Sequence, residues 1–182
     1  MSTRAGAYAL GPDSATLKVW TGKEGRAARA GHNLEIEVTD WSATLELGAT
    51  PEQTTVSLMA SSRSLRVLAG SGGVPAFDDA NRPKIDHTIE TEVLNGGEIS
   101  FRSTGAHGVE GADDVHVHGD LTLLRRTAPV AFTLAVSPDG SVSAEARIKQ
   151  TDFGIKPHSA MLGALKVSDE VRITVEGRLD AS

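Results

Sequence analysis

Along most of the chain, apolar and polar residues alternate with a period of two, in short runs separated by Gly, Pro, Asn, Asp and Ser. Successive side chains of an extended strand point to opposite faces, so the pattern predicts strands with one buried face rather than helices. Leu17 and Val19 open the series, and Leu34, Ile36 and Val38 follow with Glu35 and Glu37 turned the other way. Trp41, Ala43, Leu45 and Leu47 continue it, then Val56, Leu58 and Ala60. The second half repeats the theme with Ile99, Phe101 and Ser103, with Val115, Val117, Leu121 and Leu123, and with Val130, Phe132, Leu134 and Val136. Pro138-Asp139-Gly140 then predicts a tight turn into Ala144, Ala146 and Ile148, because Pro presets one turn dihedral and Gly accepts positive φ. Val171, Ile173 and Val175 form the last clear run. About eight strands are expected, enough to close an antiparallel barrel and remove exposed edges, although alternation alone fits a β-sandwich equally.

One segment departs from this period. Ile85, Ile89 and Val93 fall four apart between Lys84 and Leu94, which places them on one stripe of a short α-helix. Pro83 suits its first turn and Asn95-Gly96 its end. The stripe is too narrow for full burial, so the helix is expected to cap one end of the barrel. Gly70-Ser71-Gly72-Gly73 reads as a flexible loop leading into it rather than a domain linker. No repeat or boundary divides residues 1–182, and a single domain is expected.

Composition narrows the function classes. A net charge of −6 offers no field to attract phosphates, so nucleic acid is not an expected partner. The nearest basic cluster, Lys23, Arg26 and Arg29, sits among Gly22, Gly25 and Gly31 and reads as a solvated loop. The absence of cysteine excludes disulfides and thiolate metal sites. No apolar stretch near Met1 resembles a signal peptide and none elsewhere is long enough to span a membrane, so a cytoplasmic location is expected.

The inward-facing set is small. Leu45, Val56, Val117, Ala144, Ala146 and Val175 are of small or medium size, and the whole chain holds only four Phe and two Trp. Such a lining leaves the middle of a barrel incompletely filled, and a dry apolar cavity invites an apolar guest. An interior filled by its own side chains fits the periodicity equally well.

His116 and His118 carry the sharpest chemical signal, since residues two apart on a strand share a face and could hold a metal together with His107 or Asp120. Val115 and Val117 claim the inner face, however, which turns both histidines outward. His32 stands at the start of a strand, where it can reach a ligand head group or simply face solvent. Neither His87 nor His158 has a catalytic partner at a recognisable spacing, and no nucleophile elbow, phosphate loop or zinc-protease motif is present, so no catalytic residue is assigned.

Several segments are similar to a known family. Gly119-Asp120-Leu121-Thr122-Leu123 and Thr127-Ala128-Pro129-Val130 resemble its Gly-x-Leu-Thr and Thr-x-Pro-Val segments, and Gln150-Thr151-Asp152-Phe153-Gly154-Ile155 resembles its Asp-Phe-Gly-Ile motif. Val167 to Ile173 resembles its closing strand, while Ile99 to Ser103 and Ala60 to Leu65 fall where it has comparable strands. The family is the YceI-like group, and the resemblance runs from about Tyr8 to Leu179. It implies an all-β, lipocalin-like antiparallel barrel whose interior channel holds polyisoprenoid or fatty amphiphilic molecules. The chain departs from the pattern at Phe77-Asp78-Asp79-Ala80-Asn81-Arg82-Pro83, which replaces the usual helix and Phe-Phe-Asp segment, so the barrel mouth is expected to differ.

The resulting expectation is a carrier or sequestering protein, without chemistry or cofactor of its own, for an isoprenoid, quinone or fatty amphiphile. Trp41, Leu45, Phe101, Phe132, Phe153 and Leu162 are its expected wall residues, on the assumption that strand parity holds. The apolar connection from Phe153 to Ser168 is expected to fold against the opening as lid, wall or plug. A histidine-based metalloprotein or small stress-response enzyme, and a filled barrel serving as an interaction module, stand as alternatives. A homodimer is compatible with any of these.

Overall fold

The computed structural model describes residues 5–160 and 165–179. Within them the chain forms β1 (Gly6–Leu10), β2 (Ala15–Glu24), β3 (Asn33–Val38), β4 (Trp41–Leu47), β5 (Thr55–Ser61) and β6 (Leu65–Ser71). A helix, α1 (Arg82–Thr88), runs on into a single π turn, Ile89–Val93. The second half comprises β7 (Glu98–Gly108), β8 (Val115–Leu123), β9 (Arg126–Val136), β10 (Ser141–Lys149), the short β11 (Ser159–Ala160) and β12 (Leu165–Arg178). Every pairing is antiparallel, in the order β1-β4-β5-β7-β8-β9-β10-β12-β2-β3-β6, with β11 beside β12.

The order has two ends, but the chain brings them together. It passes from β1 to β2, from β3 to β4 and from β5 to β6 through short corners, so the two terminal trios of strands are successive halves of three bent stretches. Backbone bonds close these corners: Thr39 N donates to Ser64 O at 2.9 Å, and Ser61 N donates to Asp40 O at 3.0 Å. The sheet is thereby curled round its apolar face into a half-barrel whose terminal strands β1 and β6 do not pair with each other. The expected count of about eight strands is corrected to twelve among the described residues. Strands bend where alternation continues, so a run of apolar residues does not reveal a corner, and β1, β6 and β11 were too short or too rich in small residues to read.

Two hairpins show how local chemistry sets the register. At residues 137–141, Gly140 adopts φ +87° and donates to Ser137 O at 2.9 Å, while Asp139 accepts from both the N–H and the hydroxyl of Ser141. Between β8 and β9 the loop is just Leu124 and Arg125, both left-handed at φ 50° and 63°, as a type I′ turn requires. Gly119 on β8 permits a close approach: a Cβ there would lie 2.3 Å from Arg102 O and 2.7 Å from the Phe101 ring. The helix lies where the four-residue spacing placed it and ends at Asn95 and Gly96, both with positive φ. Among the described residues no helix is long and apolar enough to cross a membrane.

Candidate functional site

The curled sheet and α1 surround a cavity of about 1110 Å³ that is open to solvent on one side. Its walls come from inward positions of nearly every strand: Leu17 and Val19 on β2, Ile36 on β3, Leu45 on β4, and Ile173 and Val175 on β12. Alternation produced this lining, because each strand commits every second side chain to the same interior space. The expected inward set holds at Leu45, Val56, Ala144, Ala146 and Val175, whose modest bulk leaves the centre open. Val117 is inward too and fully buried, but it packs among its neighbours outside the lining. An interior filled by its own side chains is therefore not what this chain builds.

Four of the six expected wall residues border the cavity. Trp41 and Leu45 stand on β4, and Phe101 and Phe132 meet with ring centroids 5.4 Å apart. Phe153 does not: it is 1% exposed and packs toward Pro129, Val130 and Ile148, beside a small separate hollow. Alternation continued from Ala144, Ala146 and Ile148 already gives position 153 outward parity, and the turn Gln150–Phe153 ends β10 and buries the ring away from the cavity, so its bulk and apolar character were a misleading guide to the wall. Leu162 lies outside the described residues, as does Met161. From the same connection, Ile155, His158 and Val167 do border the cavity.

The helix contributes more than a cap. Ile85, Ile89 and Val93, the stripe seen in the sequence, all face the cavity and extend its apolar wall. The sequence marked Phe77 to Pro83, leading into it, as a departure at the barrel mouth, but not Pro75 or Ala76 as lining. Pro75, Ala76 and Phe77 line the cavity, and Phe77 packs closely against Gly70, where a Cβ would come within 2.4 Å of the ring. His32 meets Phe77 edge-on at 5.3 Å between centroids and donates from Nε2 to Pro75 O at 2.9 Å. The juxtaposition of Gly70 and Gly73 with two aromatic rings was the available signal, but only the fold pairs them.

Polar lining atoms gather at one end. Ala30, Pro75, Ala76, Asp78 and His158, on connections between strands, and Lys84 on α1 are exposed as well as lining. The cavity thus has a mixed mouth at that end and a hydrocarbon interior below it. Groups whose protonation is displaced lie elsewhere. Lys18, for example, is held above its ordinary value by its 2.5 Å bond to Glu35 on the outer sheet surface.

His107, His116 and His118 share the outer face of β7 and β8, as the burial of Val115 and Val117 dictates. His107 sits opposite His116, with ring centroids 4.9 Å apart, and 6.3 Å from His118. Asp120 is exposed farther along β8 opposite Arg102. Among the described residues no three His, Asp or Glu side chains converge on a point that would hold a metal ion.

Comparison with known proteins agrees with this architecture. The family described as the YceI-like domain matches residues 8–179. The crystal structure of BcnA from Burkholderia cenocepacia superposes with a TM-score of 0.64 at 14% identity, covering 92% of this chain and 96% of that one. A mutant CJ YceI protein, solved with a monobromobimane guest structure, gives a TM-score of 0.55 at 13% identity over 81% of this chain and 85% of that one. At such identities the likeness is one of fold. No curated protein sequence matches the chain.

Proposed function

The chain belongs to the YceI-like family, and from that premise we propose that it carries or sequesters a long-chain apolar molecule, isoprenoid-like or lipidic, inside the barrel and performs no chemistry on it. The observation that carries this reading is the cavity: about 1110 Å³ of space, open to solvent at its mouth and lined mostly by hydrocarbon. Pockets for drug-sized ligands span roughly 300–1,000 Å³, so the space favours a longer guest.

Energetics support the same class. Each buried methylene is worth about 0.8 kcal/mol, so a five-carbon isoprene unit contributes roughly 3 to 4 kcal/mol before ordering costs. A few units bind tightly without any polar anchor. A linear or branched hydrocarbon tail also suits walls assembled from Leu, Ile, Val and Phe, which offer shape but few directed hydrogen bonds.

Organic extraction of the purified protein followed by mass spectrometry tests the proposal, with a polyprenyl, quinone or fatty species expected at stoichiometric amount. Trp41 supplies an independent readout, because it borders the cavity whereas Trp20 lies on the outer face between Lys18 and Arg172. In a Trp20→Phe variant, a long-chain quinone should quench the remaining tryptophan fluorescence saturably. An empty extract together with no saturable quenching would refute the carrier reading.

A further inference from the structure

A guest of this kind cannot reach the cavity through water at a useful rate, since each methylene exposed to water lowers its population about fourfold. We propose that the rim formed by residues 25–32 and 72–76 docks on an anionic lipid bilayer, holding the cavity mouth against the phase from which the guest comes. The inference rests on the carrier reading above and adds to it a surface and a partner.

Three observations on the rim carry it. Val74 is 74% exposed, one of two large apolar side chains so exposed among the described residues, and it immediately precedes Pro75, which lines the cavity. The next two residues, Pro75 and Ala76, are exposed and also line the cavity, as does Ala30 on the facing loop. An apolar edge therefore runs without interruption from outside the protein into the cavity. The other exposed residue, Met59, lies on the outer face of β5 between Ser42 and Ser100, away from any opening.

The second observation is rigidity. Val74 N donates to Arg29 O at 3.0 Å, His32 donates to Pro75 O, and the Lys23 ammonium donates to the carbonyls of Gly31 at 2.6 Å and of Gly72. The two loops are thus joined into one ridge, so Val74 is presented outward by a held backbone rather than left over on a loose loop.

The third is charge. Arg26 and Arg29 are exposed on the same ridge and form no ion pair among the described residues, and residues 25–32 and 72–76 hold no carboxylate, Glu24 standing at the end of β2 before them. Of the acids near the opening, Asp79 pairs with Arg82 at 2.7 Å, Asp78 accepts from Ala80 N and keeps its charge, and Glu92 lines the cavity farther along the helical segment. A short apolar tip beside unpaired guanidinium groups matches the interfacial region of an anionic bilayer, where apolar insertion and attraction to lipid phosphate add. The chain's overall charge of −6 is borne elsewhere and would turn the remaining surface away.

The test is sedimentation of the guest-free protein with phosphatidylcholine vesicles and with mixed phosphatidylcholine and phosphatidylglycerol vesicles, at low and high salt. Co-sedimentation with the mixed vesicles that weakens with salt is expected. Arg26→Glu with Arg29→Glu should lower binding more than about twentyfold, since each cation near such a surface is worth roughly fivefold. Val74→Asp should reduce it several-fold. Quenching of Trp41 by a long-chain quinone without vesicles, measured on the same variants, should be unchanged, which shows that fold and cavity are intact. Wild-type protein that ignores the mixed vesicles, or variants that bind them as well as wild type, would overturn docking. Loss of quenching in the wild type would instead strike the carrier reading.

Discussion

The Asp86 carboxylate on α1 accepts a hydrogen bond from the backbone N–H of Val67 on β6 at 2.8 Å. β6 is the last strand of the sheet order and has no strand on its outer side to take that proton. A helical side chain thus completes the ladder at an edge, and the same contact holds α1 against the mouth of the cavity. Backbone groups as buried as those of Val67, 4% exposed, require such a partner.

Removing this clasp should loosen the mouth. Asp86→Ala leaves the Val67 N–H without an acceptor, a loss of about 1–3 kcal/mol in stability measured by chemical denaturation. Asp86→Asn keeps an acceptor oxygen and should recover most of it. Hydrogen exchange should rise in residues 82–93 of the alanine variant, and equal protection in both proteins would show that α1 is held by its apolar stripe alone.

Filling the cavity should displace the guest without harming the fold. Ala146 lines the open space opposite Ile173, so Ala146→Phe places a ring where the guest would lie. Loss of room for two methylenes corresponds to more than about tenfold in affinity for a long-chain quinone. The melting temperature should hold or rise, since the new ring is itself buried. A lowered melting temperature with affinity intact would mean that residue 146 packs against protein rather than space.

The β8–β9 turn asks left-handed geometry of a residue poorly suited to it. Arg125 is exposed at φ 63°, and Arg125→Gly should stabilise the protein by up to about 1 kcal/mol by removing the steric cost. Gly119→Ala should act in the opposite sense, because the added carbon collides with the Arg102 carbonyl and the Phe101 ring. Comparing their denaturation midpoints tests both arguments at once.

Acid should weaken the tie between the end of β10 and β12. Thr151 donates its hydroxyl to Asp169 at 2.6 Å and its N–H at 2.8 Å, which holds the carboxyl below the ordinary aspartate value of 3.8. A carboxyl lowered by folding contributes its stabilisation above that ordinary value and loses it as pH falls through the folded one. The melting temperature of wild type should therefore drop below pH 3.8 more steeply than that of Asp169→Asn, with the two curves parallel at neutral pH. Parallel curves throughout would show that the tie contributes nothing.

Much of the barrel could be read without coordinates because strand parity is a local property. Leu45, Phe101 and Phe132 face the cavity for the same reason that their polar neighbours face water, and the four-residue spacing of Ile85, Ile89 and Val93 marked a helix whose stripe proved to be wall. At Phe153 the expectation followed the apolar character of the side chain against the parity of β10, whose inward positions are Ala144, Ala146 and Ile148, and the turn after β10 buries the ring elsewhere. Parity was silent about corners, since a strand that bends keeps its alternation.

Alternating burial, a short helix and an all-β class follow from residue order alone, because each depends on neighbours a few positions apart. The hollow and its mouth depend instead on distant segments: Phe77 over Gly70, His32 against Pro75, Asp86 beneath Val67. No local pattern encodes a volume, because open space is what remains after every wall has been placed. That remainder is set by how tightly the sheet curls and by which small side chains meet across it, and both are decided only when the strands have paired.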